Sequence, residues 1–205
     1  MTKLDLKKDL RYLYSPSAKA VEIVDVPPMR FLMIDGTGDP NTVPEYKEAV
    51  GALYSVAYTL KFAIKKREHV DYPVMSLEGL WWVDDYTQFS YTERSNWRWT
   101  MMIMQPEIVT EAAFQQAVED VRKKKNPPLL DKLRFEEYHE GLAAQIMHIG
   151  PYADEMPTVK RLHEAILAKS YQLRGKHHEI YLSDPNRSAP EKLKTILRQP
   201  IAVKG

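Results

Sequence analysis

His177-His178-Glu179-Ile180-Tyr181-Leu182-Ser183-Asp184-Pro185 is the stretch on which the reading of the chain turns. Ile180, Tyr181 and Leu182 favour extended backbone, whereas Ser183, Asp184 and Pro185 stop it, so the segment predicts a short strand ending in a turn. Period-two alternation places Ile180 and Leu182 on one face and His177, Glu179 and Tyr181 on the other. Glu179 is the odd residue, a carboxylate in mid-strand beside an aromatic. An edge strand with Glu179 in water is the simpler alternative, and the rest of the chain decides between them.

Working back from this strand, residues 156–174 predict a helix with Val159, Leu162, Ile166 and Leu173 inward, closed by Gly175. Residues 138–149 predict the strand before it, with Gly150-Pro151-Tyr152 as the turn, and residues 193–199 a last strand. The same order occurs earlier. A strand-forming run, Val21 to Ile34, is followed by the turn Asp35–Pro40 and then a long helix. Thr42-Val43-Pro44-Glu45 predicts its capping box, and Tyr46, Val50, Leu53, Ala57, Leu60 and Ile64 form its core stripe. Two strands follow, 72–83 and 97–105, joined by the polar loop Asp84–Asn96. All four tryptophans lie on them, at 81, 82, 97 and 99.

Set side by side, Gly36 matches Gly150, Pro44 matches Pro157, Glu78 matches Glu179 and Gln105-Pro106 matches Gln199-Pro200. Four matches in order indicate a duplication. The expected fold is therefore α+β, with duplicated βαββ units, two antiparallel sheets each with a long helix, and a pseudo-twofold central groove. The expected organisation is a lead-in over 1–20 and one domain over 21–205. Its halves are 21–106 and 137–200, joined by a linking segment, 107–136, in which Thr110 caps a helix and Asn126-Pro127-Pro128 stops it.

Composition narrows the function. With 29 basic and 28 acidic residues the net charge is +1, which removes the electrostatic argument for nucleic acid or an anionic membrane as partner. The basic run Arg122–Lys125 reads as a solvated helix end. There is no cysteine, so thiolate metal sites and cysteine nucleophiles are excluded. The charged N-terminus lacks a signal-peptide core and no apolar run approaches a membrane span, so a cytoplasmic protein is expected. His163-Glu164 lacks the second histidine of a zincin site, and Gly36-Thr37-Gly38 lacks the lysine of a phosphate loop. No metal or cofactor is expected, and His148 and His163 read as structural histidines.

Gly150-Pro151-Tyr152, the Glu179–Pro185 stretch and Leu77-Glu78-Gly79-Leu80-Trp81-Trp82 together resemble the GyrI-like small-molecule-binding domain of the SOUL/GyrI superfamily. The resemblance covers about Val21 to Gln199. It implies the duplicated fold and an aromatic pocket around one glutamate, Glu179 by motif position, that takes bulky, flat compounds. The Leu-Glu-Gly-Leu-Trp-Trp motif resembles the stand-alone branch, which includes cyclopropanoid cyclopropyl hydrolases acting on DNA-alkylating natural products of the yatakemycin type. On that resemblance Glu179 is the expected base and Tyr72 the expected donor, with Trp82, Trp99, Tyr54, Tyr58, Tyr152 and Tyr181 around a small hydrophobic aromatic ligand. The alternative is a binding or sensing module without turnover. No helix-turn-helix segment precedes the domain in this sequence, so sensing implies a separate protein partner.

Overall fold

The computed structural model describes residues 1–85 and 93–204. Part of the loop expected over Asp84–Asn96 therefore lies outside the described residues. In chain order the elements are β1 (Thr2–Lys3), α1 (Leu6–Asp9), α2 (Arg11–Tyr14), β2 (Glu22–Val26), β3 (Met29–Thr37) and α3 (Pro44–Glu68). Then come β4 (Val70–Asp71), β5 (Leu77–Trp82), β6 (Arg98–Gln105), α4 (Glu111–Lys124) and β7 (Arg134–Tyr138). The remainder is β8 (Gly141–Ile149), α5 (Met156–Ala168), β9 (Tyr171–Leu173), β10 (His177–Tyr181) and β11 (Lys194–Val203). Among the described residues no helix is long and apolar enough to cross a membrane.

The chain divides into two compact units: Met1–Asp9, Met29–Met75 and Trp81–Tyr138 in the first, and Leu10–Pro28, Ser76–Leu80 and His139–Gly205 in the second. In the first, β3 is antiparallel to both β6 and β7, with Leu32 opposite Ile103 on one side and Phe135 on the other. Helix α3 buries Ala52, Leu53, Val56, Leu60 and Ile64, the spacing of one helical face. Pro44 opens α3 as expected, but the capping box does not form. Val43 is the N-cap, and the Thr42 hydroxyl donates instead to the Asp39 carbonyl at 3.4 Å. Thr110 does cap α4, its Oγ1 accepting from Ala113 N at 3.2 Å. Gly36 lies opposite Trp99 in the β3–β6 ladder, and a Cβ there would overlap the Trp99 ring. The two glycines matched in the repeat thus differ: Gly150 turns the chain at φ 137°, while Gly36 makes room for an indole.

In the second unit β11 lies between β8 and β10, antiparallel to both, and β2 pairs with the far edge of β8. Helix α5 packs Val159, Leu162 and Ile166 on Ala144, Ile146 and Leu197. It ends at Ala168 rather than near residue 174, because Ser170 takes a left-handed conformation (φ 62°) and Tyr171–Leu173 pair with β11 as β9.

The duplication is visible as strand order: β5-β6-β3 repeats as β10-β11-β8. The outer strand is where the units depart from the expected halves. β2 precedes β3 in sequence yet pairs with β8, and β7 precedes β8 yet pairs with β3. Each unit's outermost strand is thus supplied by the segment leading into the other, which gives Leu10–Pro28 to the second unit and residues up to Tyr138 to the first.

Candidate functional site

Two faces of the second unit carry clusters of polar side chains. Across one, Gln145 on β8, Arg198 on β11 and His178 on β10 stand in register as direct cross-strand partners. The row continues to Glu78 on β5, whose Oε2 lies 3.0 Å from His178 Nε2. Glu140, in the turn before β8, meets His178 Nδ1 at 3.0 Å through Oε1 and receives Arg198 through Oε2 at 3.2 Å. Arg174 holds the Glu140 carbonyl from beside β11. These four charged side chains are at most 1% exposed, and two cations answer two carboxylates. The N-terminal segment is tied down by the same row. Tyr14 donates to Glu78 Oε1 at 2.7 Å, Arg198 to the Leu13 carbonyl at 2.6 Å and Gln145 to the Tyr12 carbonyl at 2.7 Å.

Burial alone would push the His178 imidazole down, but the Glu140 and Glu78 carboxylates outweigh it and raise it to about 9. Burial likewise pushes Glu140 up, and His178 and Arg198 together bring it down to about 2. Burial and then Glu78 push the Tyr14 phenol well above the usual range. The stabilisation from His178 is fully present below its ordinary value of 6.5 and is lost as pH rises through about 9. That from Glu140 is present above 4.5 and lost as pH falls through about 2. Folding stability is expected to be highest between these ordinary values and to fall by roughly 3 kcal/mol on the alkaline side. Chemical denaturation at a series of pH values checks this, and a flat curve from pH 6.5 to 9 excludes a buried imidazolium.

Glu179 stands on the opposite face of β10. Its cross-strand partner is Leu197, which pairs with Ile146, and both belong to the core under α5. Because Glu78 touches His178, it shares the face of His178 and not that of Glu179. The sequence match between Glu78 and Glu179 therefore joins carboxylates on opposite faces, since a one-residue slip in a strand inverts the side chain. Glu78 is sealed as a counter-charge. Glu179 keeps 18% of its side chain exposed.

Around Glu179 the second unit gathers a polar cluster. Tyr181 donates to its Oε2 at 2.7 Å, and His177 Nε2 lies 3.5 Å from Oε1. The Tyr152 ring meets Tyr181 edge-on at 5.7 Å. Burial, followed by Glu155, Glu179 and Asp184, pushes the Tyr152 phenol up to about 12, so it keeps its proton. Burial and His177 push His163 down, and its Nε2 has no hydrogen-bond partner among the described residues. Thr195, opposite Tyr181, also buries an Oγ1 without a partner among the described residues. His148, by contrast, is satisfied by Thr158 and the Pro151 carbonyl. His177 and His163 were not among the expected site residues; the alternation that placed His177 beside Glu179 was the available signal.

Five of the expected site residues belong to the first unit. Tyr72 is buried, its hydroxyl has no hydrogen-bond partner among the described residues, and burial pushes it up. Trp82 is half-buried. Trp99, expected as a stacking surface, is wholly enclosed, packed edge-on against Tyr46 at 5.5 Å and over Gly36. The reason is that β6 is buried on both faces from Trp99 to Gln105, so alternation does not distinguish an open side. Tyr54 and Tyr58 follow one another along α3 with Phe62, at 6.2 and 6.3 Å between rings.

Residues 19–202 match the family model of the GyrI-like small molecule binding domain, and the chain belongs to that family. A crystal structure of an uncharacterized conserved protein from Listeria innocua is 39% identical, covers 97% of this chain and 100% of its own, and superposes with a TM-score of 0.91. Two structures of hydrolases from Listeria innocua are each 38% identical over 97% and 98% of this chain and 100% of theirs, with TM-scores of 0.84 and 0.87. The comparison with curated proteins found no match.

Proposed function

We propose that the chain binds flat aromatic molecules at the Glu179 cluster and hydrolyses the cyclopropane of cyclopropanoid DNA-alkylating compounds. The observation that carries the reading is a half-buried carboxylate with one oxygen fixed by Tyr181, whose neighbours Tyr181 and His177 lie by buried Thr195 and His163 atoms that have no hydrogen-bond partner among the described residues. Polar atoms left in this way suit water or a ligand. The names of the two Listeria innocua hydrolases support hydrolytic chemistry, and the family supports a small-molecule ligand.

The reaction needs little of the protein. Water oxygen bonds to the cyclopropane methylene, the strained carbon–carbon bond breaks, and its electron pair passes through the conjugated dienone to the carbonyl oxygen. That oxygen becomes a phenolate, which takes a proton from solvent to give the phenol while protonated Glu179 returns its own to solvent. Glu179 takes the proton from water, and a neutral phenol donates a hydrogen bond to the developing oxyanion. Tyr152 is held protonated beside Glu179 and fits that part; Tyr72, the donor expected from the sequence, is enclosed within the first unit.

The test is mass spectrometry of a cyclopropanoid drug incubated with the protein. A product heavier by one water, formed in excess over protein, is expected. Stoichiometric binding with unchanged drug mass supports instead a module that sequesters its ligand.

A further inference from the structure

Tyr54, Tyr58 and Phe62 have a second significance that does not depend on the Glu179 reading. They recur every four residues along α3, so their side chains form one strip. Successive rings are tilted by 31° and 24°, close to parallel. The strip is not core: Tyr58 is 48% and Phe62 59% exposed. It forms one wall of a groove of about 680 Å³ whose opposite wall is α4, with Ala63 and Val121 also lining it. That volume lies within the roughly 300–1,000 Å³ typical of small-molecule sites.

The polar lining has a definite sign. Lys66 from α3 and Lys124 and Lys125 from the end of α4 face the groove against a single carboxylate among the described residues, Asp120. Asp120 already accepts from Gln116 at 3.0 Å. The negative end of the α4 dipole, about half a charge, is too small to reverse the excess of lysines. Ser55 and Thr59 turn their hydroxyl protons back to their own helix, donating to the Gly51 and Ser55 carbonyls, so neither offers its proton to the groove.

We propose that the α3–α4 groove is a binding site for a planar aromatic anion, whose rings lie on the Tyr54–Tyr58–Phe62 strip while its carboxylate, sulfonate or phosphate meets Lys66, Lys124 and Lys125. The preference is opposite in sign to that of the carboxylate-centred Glu179 cluster. It also gives the basic run at the end of α4 a role beyond that of a solvated helix end.

Two fluorescent probes separate the contributions: 8-anilinonaphthalene-1-sulfonate and its uncharged counterpart N-phenyl-1-naphthylamine. Titrations in the Glu179→Gln background remove the carboxylate of the other site. Tyr58→Ala/Phe62→Ala is expected to weaken both probes at least tenfold. Lys66→Gln/Lys124→Gln/Lys125→Gln is expected to weaken the sulfonate at least fivefold, abolish its salt dependence and leave the neutral probe within twofold. Both sets of side chains are exposed, and circular dichroism of each variant confirms that folding is retained. Unchanged sulfonate affinity in both variants overturns the site. Equal loss of both probes in the lysine variant overturns the anion preference. Self-association of the wild type that Tyr58→Ala/Phe62→Ala abolishes makes a second copy of the chain the occupant and overturns the small-molecule reading.

Discussion

Replacing Arg198 by methionine is expected to cost about 3–5 kcal/mol of folding stability, the scale for removing one partner of a buried ion pair. The substitution leaves Glu78 and Glu140 facing His178 alone, an uncompensated negative charge in the interior. It also strips the Leu13 carbonyl and Gln145 Oε1 of their donor. Glu140→Gln is expected to be nearly as harmful for the opposite reason, since His178 and Arg198 then outnumber Glu78. The informative measurement is the cycle. Arg198→Met/Glu140→Gln restores the balance between Glu78 and His178, and its loss should fall short of the sum of the singles by about 1–3 kcal/mol. Additivity within about 0.5 kcal/mol in denaturant unfolding rejects charge balance as what holds the row together. Arg134→Met, which breaks bonds to Asp35 and Glu136 at the surface, is the control; screening should keep its effect below about 1 kcal/mol.

The contrast between these arginines shows what could be read in the sequence. Helices α3 and α4 were legible because their apolar positions repeat at helical spacing and because Pro44 and Thr110 mark their starts locally. The duplicated strand order was legible because whole elements recur. The buried row was not: Tyr14, Glu78, Glu140, Gln145, His178 and Arg198 come from distant parts of the chain and meet only through strand pairing. Residues 10–14 accordingly look like a lead-in. In the folded chain they form the lid on that row, with Leu13 and Tyr14 buried. The exchange of β2 and β7 escaped for the same reason, since a strand's own residues do not specify which edge it joins.

Glu179 is the point at which local reading went furthest, because alternation within one strand fixed its face together with Tyr181 and His177. What alternation could not supply was whether that face is sealed, and its partial exposure beside Tyr152 makes it the better placed of the two matched carboxylates for chemistry. Glu179→Gln preserves shape and can still accept from Tyr181, while removing the group that takes a proton. If Glu179 is the base, turnover of a cyclopropanoid substrate should fall by about 10²–10⁴-fold, the usual contribution of a positioned general base. Affinity for a neutral ligand should stay within a few-fold. The fold should be no less stable, because a partly desolvated carboxylate is replaced by a neutral isostere. Product formation, calorimetric affinity and thermal unfolding on one preparation separate the cases. Undiminished turnover removes Glu179 as the base. Weakened binding of cationic ligands, in a protein whose wild type forms no product, places the carboxylate in charge recognition. Loss of folding assigns it to the support of β10, in which case Tyr181→Phe, which removes the hydrogen bond to Glu179 Oε2, should be destabilising as well.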